Sequence, residues 1–179
     1  MPSLLEQKRF NTFGTARIFE KRVKKYALLI KLLNFLGLAI PITIGLIFLA
    51  IGSVDNFVKG CALLLGAAQV LAFLWSIIDK WDDKHQYSIE ALQRQDKLFT
   101  ELNDLDQQDK NFQTLFDKLL EREKRYKQDD ISKSISNKEI RYGTRKSLYR
   151  FQVLCQMCNE TPQTEKPPKG KKCDNCANF

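Results

Sequence analysis

Residues 32–51 read LLNFLGLAIPITIGLIFLAI and residues 60–78 read GCALLLGAAQVLAFLWSII, and neither run holds a charged side chain. The first has twenty residues and the second nineteen. A twenty-residue helix is about 30 Å long, the thickness of a bilayer's hydrocarbon core. The eight residues between the runs, GSVDNFVK, are mostly polar or turn-forming. The reading is a helical hairpin that crosses a membrane twice. A cleaved signal peptide fits poorly, because the first run is long, begins late and is closely followed by a second.

Charge sets the orientation. The chain has 179 residues and a net charge of +8. Residues 1–31 carry eight Lys or Arg against two Glu. Arg17, Lys21, Arg22, Lys24, Lys25 and Lys31 crowd the entry to the first span, whereas the turn has only Asp55 and Lys59. The positive-inside rule then places the N-terminus, and the tail after the second span, in the cytoplasm. Trp75 and Trp81 flank the inner exit of the second span, where indole rings favour the interface. Four segments follow: a basic N-terminal segment (1–31), the hairpin (32–78), a cytoplasmic helical region (79–137), and a basic segment with a cysteine clip (138–179).

Inside the spans, Gly37, Pro41 and Gly45 recur every four residues and share a helical face. Small residues let helices approach closely, and proline frees a carbonyl one turn back. Asn34, Gly66, Gln69 and Ser76 add polar or small positions. These residues either line a pore, which one hairpin cannot enclose without further copies, or pack the helices, with Gln69 hydrogen-bonded to Asn34 or Thr43.

From Asp79 to Gln128 there is neither Pro nor Gly, as suits a long solvated helix. Leu98, Leu102, Leu105, Phe112, Phe116 and Leu119 fall at alternating steps of four and three, a spacing interrupted by Asp109 and, further on, by Glu123. That stripe reads as the seam of a coiled coil or bundle. A break near 103–109 would fold it into two antiparallel helices. A stripe needs something to pack on, and a second copy of the chain is the simplest partner.

A polar, Ser-rich connector (129–138) leads into Lys138, Arg141, Tyr142, Arg145, Lys146, Tyr149, Arg150 and Phe151. Cationic groups can neutralise phosphates and aromatic faces can stack on unpaired bases. This segment is a candidate nucleic-acid interface; anionic lipid or plain solvent are the other claimants on its charge. Next come Cys155, Cys158, Cys173 and Cys176, two CxxC pairs fourteen residues apart. Two such turns can complete a tetrahedral four-thiolate site, which suits structural Zn2+ with no open position; redox dithiols are the alternative, disfavoured by the lack of a surrounding βαβ pattern. The intervening NETPQTEKPPKGKK has three prolines and no apolar core, so metal would supply the module's folding energy. No Ser–His–Asp set, Gly-rich phosphate loop or open metal site is present in the sequence, and the expectation is a protein that is not an enzyme.

Basic N-terminus, tight hairpin, long helix and terminal clip together resemble the SLATT proteins of bacterial mobile defence islands. YRFQVLCQMC (149–158) and CDNCANF (173–179) are most similar to the subgroup with a terminal cysteine clip, whose pairs stand eleven residues apart rather than fourteen. The resemblance implies a pore-forming effector in anti-phage defence, a tetramer in the bacterial inner membrane. It further implies control by an oligonucleotide made by a nucleotidyltransferase-like partner. The Hailong anti-phage system is similar, with single-stranded DNA holding a two-span effector closed. The expected architecture is an all-α membrane protein: transmembrane hairpin, cytoplasmic helices, and a small zinc-ribbon-like module. The alternative is a non-conducting anchor that recruits a protein partner or lipid.

Overall fold

The computed structural model describes residues 3–51, 55–131, 134–170, 172–177 and 179. Five helices account for most of it: α1 (Leu4–Ile51), α2 (Asn56–Ile78), α3 (Trp81–Asp104), α4 (Phe112–Ile131) and α5 (Asn137–Phe151). Residues 52–54 of the expected turn and 132–133 of the expected connector lie outside the described residues. Two compact units result, Val23–Tyr87 and the combination of Met1–Arg22 with Ser88–Phe179. Helices α1 and α3 contribute to both.

In the unit Val23–Tyr87, α1 and α2 are each long and apolar enough to cross a membrane. The most apolar windows of the two helices are only 0% and 6% buried. A core helix of a soluble protein would be mostly covered. Here Phe35, Leu38, Leu49, Phe57, Leu63, Leu71 and Ile78 are exposed, as side chains that meet lipid would be.

Pro41 stands inside α1 and has no N–H to give to the carbonyl four residues back, that of Gly37. Gln69 of α2 answers this: its Nε2 donates to the Gly37 oxygen at 3.2 Å. The bond thus goes neither to Asn34, which is exposed, nor to Thr43, whose hydroxyl donates to the Ala39 carbonyl. A Cβ on Gly37 would meet Gln69 and Phe73 at ordinary contact distance, 3.9 Å, whereas Gly45 and Gly66 have nothing within 4 Å. Ser76 is buried. At the foot of α2, Asp79 caps the helix and Lys80 takes a left-handed conformation (φ 51°), which ends α2 before α3 begins.

The other unit is a four-helix arrangement whose directions follow from its cross-links. Arg9 donates to the Leu102 carbonyl and Arg17 pairs with Asp96, so α1 and α3 run antiparallel. Glu101 pairs with Arg122, and Arg94 with Asp129, so α3 and α4 are antiparallel too. Ser147 reaches the Phe10 carbonyl and Glu139 reaches Arg22, which makes α5 antiparallel to α1. The break between α3 and α4 falls at 105–111 and includes Asp109, one of the charged interruptions in the stripe.

The stripe itself does not wait for a second copy. Leu98, Leu102, Phe116 and Leu119 are buried against one another and Leu5, with Leu105 and Phe112 packed alongside. Folding back at 105–111 lets one half of the seam cover the other, and the N-terminal turn of α1 closes the end. Glu123, the second charged interruption, is buried with its carboxylate between Lys8 (2.6 Å) and Lys127 (2.8 Å). Burial opposes its ionisation, but hydrogen bonds from Lys127 and Lys8 outweigh that and lower its pKa.

Helices α1 and α5 cross at Gly14 and Gly143. A Cβ on Gly14 would lie 2.7 Å from Ser147 Oγ, and one on Gly143 would lie 2.7 Å from the Gly14 carbonyl oxygen. Only glycine at both positions allows backbones this close.

Candidate metal centre

The path to the clip starts at a capping box. Ser136 accepts from the Glu139 amide, and the Glu139 carboxylate accepts from the Ser136 amide. Arg22 grips the same carboxylate through Nε (2.6 Å) and Nη2 (2.8 Å). Burial works against the Glu139 charge, yet Arg22 and Ser136 hold its pKa down at about 2. Helix α5 ends at Gln152, left-handed at φ 53°, and the chain turns into the first cysteine pair.

Both pairs use the same local device. Asn159 N–H donates to the Cys155 carbonyl (2.8 Å), and Ala177 N–H donates to that of Cys173 (2.9 Å). Each turn brings its two thiols to one side. Asn159 is left-handed (φ 51°), a conformation asparagine tolerates better than most residues. The Cys155 amide then bonds the Glu160 carbonyl (3.0 Å) and closes the first knuckle.

The four sulfurs lie within 4.8 Å of one another. Cys155 and Cys173 Sγ are 3.9 Å apart, and Cys158 and Cys176 Sγ are 3.8 Å apart. Sulfurs at about 2.3 Å from a tetrahedral zinc stand about 3.8 Å from each other, so the donor set fits the ion. A disulfide needs about 2.05 Å. At Cys155 burial disfavours the thiolate, but the amides of Cys158 and Met157 and the Asn175 side chain pull its pKa down to about 6. Cys176 goes the other way: burial and the neighbouring thiols push it well above the ordinary thiol range. Four clustered thiols thus resist joint ionisation until a cation compensates them.

Arg145 holds this module to α5. It is 1% exposed. Nη1 donates to the Cys176 carbonyl (3.2 Å), and Nη2 donates to those of Thr164 (2.9 Å) and Lys166 (3.1 Å). One guanidinium therefore joins the loop between the pairs to the second knuckle. Arg141 donates to the Asp174 carbonyl (2.9 Å), and Lys146 pairs with Glu165. The three cations expected at a ligand surface are turned inward on the clip, because its carbonyls and acids lie along this side of α5.

The aromatic residues are divided as well. Phe151 packs in a ring cluster with Phe10, Phe13 and Phe99, centroids 5.8–6.3 Å away, and is not offered for stacking. Tyr142 meets Phe179 edge-on at 5.4 Å, with the Lys21 ammonium 4.2 Å from its ring centroid. Tyr149 is half-buried; Lys138 and Arg150 are exposed. On the loop, Lys166, Lys169 and Lys172 are exposed too.

The sequence reading missed Gly14 and Gly143. A signal was present, since TFGTAR (12–17) and RYGTRK (141–146) share an aromatic–Gly–Thr core. No curated protein and no solved structure matches the chain. A family model matches residues 3–179, although the cysteine pairs here stand fourteen residues apart and the family's description has eleven. The chain belongs to the mobilome CxxCx(11)CxxC protein family.

Proposed function

We propose that this protein is an oligomeric membrane effector of the SLATT type, acting in bacterial anti-phage defence. Its hairpins assemble into a pore, and an oligonucleotide, single-stranded DNA by resemblance to the Hailong system, holds that pore closed from the cytoplasmic side. Both termini face the cytoplasm of the inner membrane, a nucleotidyltransferase-like partner makes the ligand, and the chain itself is not an enzyme. The observation that carries the reading is the uncovered hairpin. Its apolar windows are almost fully exposed, and the faces at Gly45 and Gly66 meet nothing within 4 Å in one chain. Lipid covers the large apolar side chains, and neighbouring copies cover the small ones.

Zinc in the clip is structural: four thiolates leave no open position for chemistry. Its task is to hold the loop carrying Lys166, Lys169 and Lys172 in one geometry. A preordered surface loses less entropy on binding. These lysines, and the exposed Lys138 and Arg150 at the two ends of α5, are the cations offered to phosphates. Ligand shifts the closed–open balance only through better binding to one state.

Purified protein in liposomes tests this. The proposal expects ion flux that added single-stranded DNA suppresses, and suppression that fails in a Lys138→Glu, Arg150→Glu double variant. A second reading, the non-conducting anchor, is favoured by Val153, Leu154 and Met157, which stay exposed around the first knuckle as a protein partner's footing would. Flux in no state, with or without DNA, would select the anchor.

A further inference from the structure

A cavity of about 450 Å³ lies among α1, α3 and α4 in the helical unit, lined by Thr12, Gln95, Glu123, Lys127 and Asp130 among others. Two of its walls are out of keeping with an ordinary core. Thr12 is 3% exposed and its hydroxyl has no hydrogen-bond partner. Thr15, Thr43 and Thr100 all donate to the carbonyl four residues back, the usual resting place of a helical threonine. Thr12 does not. Gln95 is 4% exposed, it lines the same cavity, and among the described residues its amide makes no hydrogen bond to the protein. The Thr12 hydroxyl is thus a buried polar atom without a partner; such groups are nearly always satisfied, and an exception calls for a reason.

The charges in the same walls are already matched. Glu123 sits between Lys8 and Lys127. Asp130 faces Arg94, with Nη2 and Oδ1 3.9 Å apart. A bare cation would find both carboxylates engaged, and a phosphate would be set against them. What remains unspent is a hydroxyl and a planar amide that offers a donor beside an acceptor. That pair complements a neutral, flat ligand edge with the same alternation, as a nucleobase presents; glutamine makes this two-bond match to adenine. The volume suits one such unit, since small-molecule sites run from about 300 to 1,000 Å³.

We infer that this cavity is a binding site for a single neutral nucleobase, read by the Gln95 amide and the Thr12 hydroxyl. The inference does not rest on the pore or on the cationic surface. It would stand if the hairpin never conducted.

The test uses the full chain in detergent, with adenosine, guanosine, cytidine and thymidine as probes and thermal unfolding and calorimetry as readouts. At least one nucleoside should raise the unfolding midpoint, saturably. Gln95→Leu should weaken its binding about tenfold or more, the loss expected for a buried hydrogen-bonded pair. Thr12→Val should also weaken it while leaving the ligand-free midpoint equal or higher, because it removes an unsatisfied hydroxyl. That combination separates binding from a packing role, which would lower the midpoint. No response to any of the four nucleosides would overturn the inference. So would binding that survives both substitutions, or a midpoint raised by Mg2+ or spermidine and by no nucleoside.

Discussion

Replacing Gly143 with alanine sets two effects against each other at one position. On an exposed helix the change stabilises by about 1 kcal/mol, because alanine loses less backbone freedom. Here the added Cβ would stand 2.7 Å from the Gly14 carbonyl oxygen and 2.9 Å from Cγ1 and Cδ1 of Ile18. A backbone oxygen cannot swing aside, so α1 and α5 must part. Parting stretches the 2.8 Å bond from Ser147 Oγ to the Phe10 carbonyl. Overpacking costs about 1–3 kcal/mol and the weakened hydrogen bond about 1. After the helix gain is subtracted, the net loss is about 1–3 kcal/mol. Helical circular dichroism during heating would read this as a midpoint at least ~4 °C lower, for a unit of this size. Gly60→Ala is the control, since a Cβ there meets nothing within 4 Å. A Gly143→Ala midpoint equal to or above the parent's would refute the close crossing.

Arg145→Met should cost on the order of 3 kcal/mol, because three carbonyls lose one buried charged donor. Its readout is faster tryptic cleavage within 159–172 and faster loss of metal to a chelator, neither of which Lys138→Ala should change. The Glu139 carboxylate has its pKa lowered to about 2, so its contribution is present above the ordinary carboxylate value near 4.5 and fades as pH falls towards 2. Arg22→Gln should therefore move the acid-unfolding midpoint to higher pH, and an unmoved midpoint would remove this pair from the account. Gln69→Leu should weaken the hairpin by about 1 kcal/mol by leaving the Gly37 carbonyl unmet, read as lower resistance to denaturing detergent.

The two apolar helices were legible because a helix long and apolar enough to cross a membrane is specified by composition alone, with no tertiary partner required. The clip was legible for a related reason: cysteine spacing encodes the site almost by itself. The stripe from Leu98 to Leu119 was visible, yet its cover was not, since periodicity shows a face without saying what lies against it. The fold-back expected near 103–109 falls at 105–111, and it turned an expected contact between copies into a contact within one chain. Residues 4–22 were harder still. Arg17, Lys21 and Arg22 drew attention to charge, while Leu5, Ala16, Ile18 and Phe19 on the same helix were core. Arg145 misled in a similar way. A cation among aromatics reads as a ligand surface, and only the clip's position reveals that its partners are backbone carbonyls. The Pro41 carbonyl problem was visible in sequence; its answer from Gln69 depended on the register of two helices.

The central claim is that α1 and α2 cross the bilayer as a pair and leave both chain ends on one side. Single reporter cysteines at Lys25, Lys59 and Lys172, treated with an impermeant thiol reagent in spheroplasts, test it directly. Of these three reporters, the account predicts labelling only at position 59 in intact spheroplasts and at all three positions after permeabilisation. Labelling of Lys25 and Lys172 from opposite sides, or recovery of the protein in the carbonate supernatant, would contradict it.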